Sequence, residues 1–251
     1  MKAKTIDDVL TMLAVIVADT KKRRDPLGYF AALYRQVTLG VKKGIEQGAF
    51  DDGPRMSKFD AAFANAYFTA YDQYRTHGRP SRVWQFAFDR AASGRPIILQ
   101  NLVLAINAHV NLDLGVVTGT AFPPSKLDGF HADFDRINDI LASVIPLARN
   151  AVEEFSPLLA DLTEVGGPDV AQALEFSVEI ARDDAWRTAT IVSLIPAEAR
   201  PLVVTAVDAK AKLVGRAVAD PPEPVGTVVR HIRSAESTDV VAIITALDNL
   251  V

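Results

Sequence analysis

The chain has 251 residues, 49% of them hydrophobic and 23% charged, with a formal net charge of −4. That length and apolar content suffice for a sizeable core in one large domain or two small ones. The acidic balance disfavours a general nucleic-acid binder, which needs a basic face to replace phosphate counterions, and the absence of cysteine excludes disulfides and thiolate metal sites, so any bound metal needs His, Asp or Glu.

In chain order the pattern reads as helix after helix. Ile6, Leu10, Leu13 and Val17 recur at helical spacing. The apolar run at 9–17 is too short to span a bilayer. Asp7 and Asp8 precede it, and Asp19 and Lys21-Lys22-Arg23-Arg24 follow it, with no small-residue cleavage pattern. The expectation is a soluble, cytoplasmic protein without a membrane span, and the basic run reads as a solvated helix C-terminus. Asp25-Pro26 opens a second helix carrying Phe30, Leu33, Tyr34, Val37 and Val41, which the cluster Asp51-Asp52-Gly53-Pro54 ends. A third helix, over 58–76, carries Phe59, Phe63, Tyr67, Phe68, Tyr71 and Tyr74; Ser81 then caps a short helix with Trp84, Phe86 and Phe88.

Residues 97–117 are apolar almost throughout, which predicts a helix buried on all sides. Beyond it, Pro123-Pro124-Ser125 starts a helix through Ile145, which Pro146 is expected to kink or break. Gly166-Gly167-Pro168-Asp169 introduces a long helix to about 195, Pro196 and Pro201 bracket the start of another through 219, and Pro221-Pro222-Glu223-Pro224 leads to a last helical stretch. In the final fifteen residues Asp239-Val240-Val241-Ala242-Ile243-Ile244 has strand propensity, but Thr238-Asp239 as a start signal and the lack of alternation favour helix. No internal repeat is present, and the proline-rich linkers are short. The expected architecture is all-α: one irregular multi-helix domain, 1–251, around a buried central helix.

Within that central helix Asn107, His109, Asn111 and Asp113 occupy every second position, and buried polar side chains of this kind need partners. On an ideal helix His109 and Asp113 lie about 40° apart, with Asn107 and Asn111 about 160° to 200° away on a second edge. A His and an Asp one turn apart can share a metal, act as an acid–base couple, or simply cross-tie helices. His131 and Asp135 repeat the spacing on the next helix, with Asn138 one turn on. If the two helices are antiparallel, His109, Asp113, His131 and Asp135 would form an oxygen and nitrogen ligand set suited to divalent Zn, Mn or Fe; otherwise the second pair is a solvated stripe. Asp60, Asn65 and Tyr67 among aromatics suggest either a pocket wall or a cap beside core rings. Glu175, Glu179, Arg182 and Trp186 share one face of the long helix, a pattern typical of a solvated surface, although Trp186 is out of place there. His77 and His231 read as surface residues. There is no glycine-rich phosphate loop or nucleophile elbow, and Asp183-Asp184-Ala185-Trp186-Arg187 lacks the third aspartate of the isoprenoid-enzyme pattern.

The strings Pro26-Leu27-Gly28-Tyr29-Phe30-Ala31-Ala32-Leu33-Tyr34, Phe63-Ala64-Asn65-Ala66-Tyr67-Phe68, Leu99-Gln100 and Asn107-Ala108-His109-Val110-Asn111-Leu112-Asp113-Leu114-Gly115 resemble a bacterial family catalogued as a domain of unknown function. That family is marked by an Asn-Ala-His-x-Asn-x-Asp-Leu core, and the likeness continues through His131, Asp135 and Asn138 into Ala185-Trp186. It implies a site location and brings no activity. A looser likeness is to the all-helical zinc phospholipase C fold, on which His109, Asp113, His131 and Asp135 would be ligands. Those proteins use more histidines and an N-terminal Trp, where this chain has Met1-Lys2 and four His in all.

Three functions follow as expectations. The first is a metal-assisted hydrolase of a small phosphoester or ester, the metal activating water. The second is a metal-free enzyme with His109 and Asp113 as the acid–base couple facing an aromatic pocket of Phe63, Tyr67 and Trp84, with Asn111 beside them and Asp60, Asn65, Asn107, Asn138 and Trp186 also around the substrate. The third is a ligand-binding or scaffolding protein. In each the partner is a small molecule, and the oligomeric state stays open.

Overall fold

Local sequence sets the helix starts in a computed structural model that describes residues 2–159 and 168–250, apart from the side chains of 168–177 and 179. The Gly166-Gly167 turn and the Glu175 and Glu179 side chains therefore lie outside the described residues. In α1 (Ile6–Arg23), Thr5 and Asp8 form a reciprocal capping box, and Arg24 closes the helix in the left-handed region at φ 53°. After α2 (Gly28–Glu46), the helix α3 (Gly53–Arg75) starts five residues before the predicted 58. Asp52 accepts from the Arg55 N–H at 2.9 Å, and Pro54 sits in the first turn, where its missing donor costs nothing. Ser81 caps α4 (Arg82–Ala92), as its position predicts.

A continuous helix then runs from Ile98 to Ala121 in three parts: α5 (Ile98–Ala108), a π-helical turn (His109–Leu114) and α6 (Gly115–Ala121). By length and composition these 24 residues could cross a membrane, but 67% of the most apolar window is buried inside the fold. The helix is enclosed by α2, α4 and later helices, with α3 and the helix Pro168–Leu194 against the π turn. α7 (Pro124–Glu153), α8 (Pro168–Leu194), α9 (Arg200–Ala219), α10 (Val225–Ala235) and α11 (Val240–Leu247) complete the chain. No strand occurs among the described residues, so the fold is all-α around a buried central helix. The last segment is helical, with Asp239 accepting from the Ala242 N–H at 3.1 Å.

Of the kink or break expected at Pro146, the break does not occur: α7 passes through the proline without ending. Val144 lies buried before the proline and Ala148, Ala151 and Val152 after it, and this packing outweighs one missing backbone hydrogen bond. The close approach of α6 to α8 depends on two glycines. A Cβ at Gly119 would stand 2.4 Å from the Ala189 carbonyl oxygen and one at Gly115 2.6 Å from that of Ala185, so the helix backbones meet directly. This contact seats the C-terminal end of the central helix and with it the π turn.

Candidate functional site

The π turn holds the polar residues. π-helix is rare and clusters at functional sites, and here it spans His109, Val110, Asn111, Leu112, Asp113 and Leu114, with Thr118 Oγ1 donating to the Leu114 carbonyl at 2.7 Å. His109 Nδ1 lies 3.2 Å from Asp113 Oδ2, and both residues are buried. The same Oδ2 accepts from the Trp84 indole N–H at 2.9 Å. An indole only donates, so Oδ2 accepts from Trp84; where Asp113 is ionised, Nδ1 of the imidazole is the second donor and the lone pair lies on Nε2. Burial pushes His109 below its ordinary value, against the hydrogen bond to Asp113; burial likewise pushes Asp113 up, against its bonds from His109 and Trp84. Burial thus favours the uncharged form of both partners, while their mutual hydrogen bond opposes it.

Aromatic rings enclose this imidazole. Phe63 stacks on it at 3.7 Å between centroids and 8° between planes, Tyr34 meets it edge-on at 4.7 Å, and Tyr67 lies at 6.3 Å. Four buried polar atoms here make no hydrogen bond: His109 Nε2, Tyr34 OH, Tyr67 OH and Asp60 Oδ2. Burial drives Asp60 up to about 7, and it drives Tyr34 well above its ordinary value, with Asp60 and Asp113 adding to the effect. Buried polar groups are paired as a rule, so these unpaired atoms, Tyr34 beside the imidazole and Asp60 beside Tyr34, are a cost to stability.

Beside the box lies a cavity of about 260 Å³ between α2, α5, the π turn, α7, α8 and α9. Its wall is almost wholly apolar, with Phe30, Val37, Leu102, Ile106, Leu141 and Val144 typical of it; the polar residues reaching it are Tyr34, Asn107, His109, Asn111, Arg149 and Arg182. The Asn107 amide donates to the Ala211 carbonyl at 2.9 Å, and its oxygen accepts from Asn111 at 2.9 Å. The second polar edge of the helix is thus a tie to α9 that also borders the cavity.

The remaining candidates fall in different places. Tyr67 and Trp84 are core members of the aromatic box, and Asp60 is buried near Tyr34. Asn65 exchanges two hydrogen bonds with the backbone of Ala3 and anchors the N-terminal segment. His131 and Asp135 stand 3.6 Å apart at the surface, their side chains 50% and 56% exposed, with His131 stacked on Trp186 at 4.1 Å. Asn138 accepts from Arg182. Among the described residues no three His, Asp or Glu side chains gather as a metal-binding group, so the two His–Asp pairs do not join. The solvated reading of Arg182 is corrected: the side chain is 4% exposed, donates to the Phe134 carbonyl, and lies over the Phe134 ring at 4.4 Å. Phe63, expected in an aromatic pocket facing His109, is the ring stacked on it. Spacing alone missed Arg182 and Tyr34, and the aromatic density of α2 was the available signal for Tyr34.

Fold and site together define a class: an all-α protein with a buried, aromatic-boxed His–Asp couple beside an apolar cavity. The chain belongs to a family of unknown function, DUF5995, whose model matches residues 6–221. That span runs from α1 through α9 and includes every residue lining the cavity. No curated protein matches the chain, and no solved structure does.

Proposed function

We propose that this protein binds a small, largely apolar molecule in the cavity bordered by His109. The reading rests on one observation: an apolar chamber of about 260 Å³ with few polar groups on its wall. That is well above the roughly 150 Å³ that admits a benzene, and it has the lining expected of a ligand site. A titration with N-phenyl-1-naphthylamine, a neutral fluorescent apolar probe, tests it. Saturable one-to-one binding is expected in the native protein, with loss in Ile106→Trp, which fills the chamber. Absent binding, or equal binding in the filled variant, refutes the proposal.

A second reading is supported by a separate observation, the buried His109 Nε2 without a partner and with Asp113 behind Nδ1. On this reading His109 is a general base or acid toward the polar part of the bound molecule, with Asp113 fixing its tautomer, a role worth about 10²- to 10⁴-fold in rate. Nitrogen-15 NMR of the imidazole checks the premise. A neutral ring protonated on Nδ1 is expected at pH 6.5; protonation on Nε2 would remove the lone pair that this role needs.

A further inference from the structure

Arg182 is the feature of the cavity that neither reading uses. It comes from α8, and burial leaves it 4% exposed at the chamber wall. Its hydrogen bonds go to neutral acceptors, the Asn138 side-chain oxygen and the Phe134 carbonyl, and the Phe134 ring lies under its plane. Among the described residues it forms no ion pair. Asp135 and Asp183 act on it only at longer range, and both are exposed. Burial lowers its pKa to about 10, so the guanidinium remains cationic at neutral pH. A buried cation without a counter-ion is costly, and a planar guanidinium is suited to a carboxylate in particular. The other cation at the wall, Arg149, already pairs with Glu153 at 2.9 Å.

We propose that the ligand of this cavity is a medium-chain carboxylate, its head group held by Arg182 and its aliphatic tail by the apolar wall. The proposal rests on the ligand-binding reading and adds the charge and class of the ligand. The chamber is smaller than most drug-sized sites of about 300 to 1,000 Å³, which limits the tail to a medium length. Pairing with an anion would supply a counter-charge that no described residue supplies at contact distance, while the tail displaces water from apolar surface.

Decanoate and decanol, each below its self-association concentration, are titrated against the native protein by displacement of the naphthylamine probe. Decanoate is expected to bind at least tenfold more tightly than decanol. In Arg182→Met, whose folding is checked by circular dichroism, that excess should vanish while decanol binds as before. Equal affinity for the two in the native protein overturns the proposal without any variant, so a failure of Arg182→Met to fold leaves it decidable. Loss of the decanoate preference in Arg149→Met and its retention in Arg182→Met would overturn the assignment to Arg182. Binding of decanol without a preference for decanoate removes only this inference; binding of neither, with no probe uptake, removes the ligand-binding reading as well.

Discussion

The same four-residue spacing occurs twice in adjacent helices and produces two different objects. His109 and Asp113 are buried, 3.2 Å apart, with Trp84 as a third partner and Phe63 stacked on the ring. His131 and Asp135 are half exposed and 3.6 Å apart, with Trp186 stacked on the histidine. Water screens the second pair, and exposed pairs contribute at most about 1 kcal/mol. For the first, desolvation dominates every protonation state and the partners are fixed by the fold. Spacing tells which side chains can meet; surroundings decide whether the meeting has chemical consequences.

The largest expected effect tests how dry the buried region is. Asp60 sits in it with a pKa of about 7 against 3.8 in the unfolded chain. Between those values the unfolded chain gives up its proton first, so stability falls as pH rises from about 4 to about 7 and the cost is fully present above that. Three pKa units correspond to about 4 kcal/mol. Asp60→Asn should therefore stabilise the protein at pH 8 by about that amount, much less at pH 4, and flatten the slope between. Urea unfolding across pH measures it, and an unchanged slope would mean that water reaches the box. Next in size, Asp113→Ala strands the donors of Trp84 and His109 and should cost about 3 kcal/mol. Asp135→Ala should cost less than about 0.5 kcal/mol. Equal losses in the two variants would erase the distinction between the pairs.

Much of this was legible in sequence. Ser81 and the apolar run from 97 carry local signals that tertiary packing did not override, so the all-α class, the helix order and the buried His109–Asp113 couple follow from them, whereas the Asp51-Asp52-Gly53-Pro54 cluster, read as the end of α2, holds the cap and first-turn proline of α3. The π turn did not announce itself, because a helix apolar on all sides has no amphipathic stripe whose register a wider turn could shift. The cavity was hidden for a different reason. Ile137, Leu141 and Val144 have the spacing of a core face, and the same residues line a chamber; residue type does not distinguish a filled interior from an empty one. On α7 the pattern drew attention to His131 and Asp135, yet the fully buried carboxylate is Asp133, which accepts from the Asp51 N–H at 2.7 Å and pairs with Arg55. Arg182 was misread because its helical neighbours are charged, and only packing against Phe134 shows it turned inward.

A third measurement concerns the other edge of the central helix. Asn107→Ala leaves the Ala211 carbonyl and the Asn111 amide without their partner, and a loss of about 2 kcal/mol is expected. Uptake of the naphthylamine probe should persist, since the apolar wall is untouched. A variant that keeps its stability and loses the probe would move Asn107 from the helix tie to the ligand.

The smallest expected effect is the most discriminating, because the chain's two tryptophans each report on one pair. Trp84 is buried and bonded to Asp113, whereas Trp186 is half-buried under His131. His131→Ala removes one face of the Trp186 stack and a screened ion pair, so stability should change by less than about 0.5 kcal/mol. Acrylamide should then quench the Trp186 component more strongly and leave the Trp84 component shielded. In a Trp186→Phe background the same His131→Ala change should leave the remaining emission untouched. A shift in Trp84 emission there would mean that the surface pair is coupled to the buried one through α7, and the two could no longer be treated as independent.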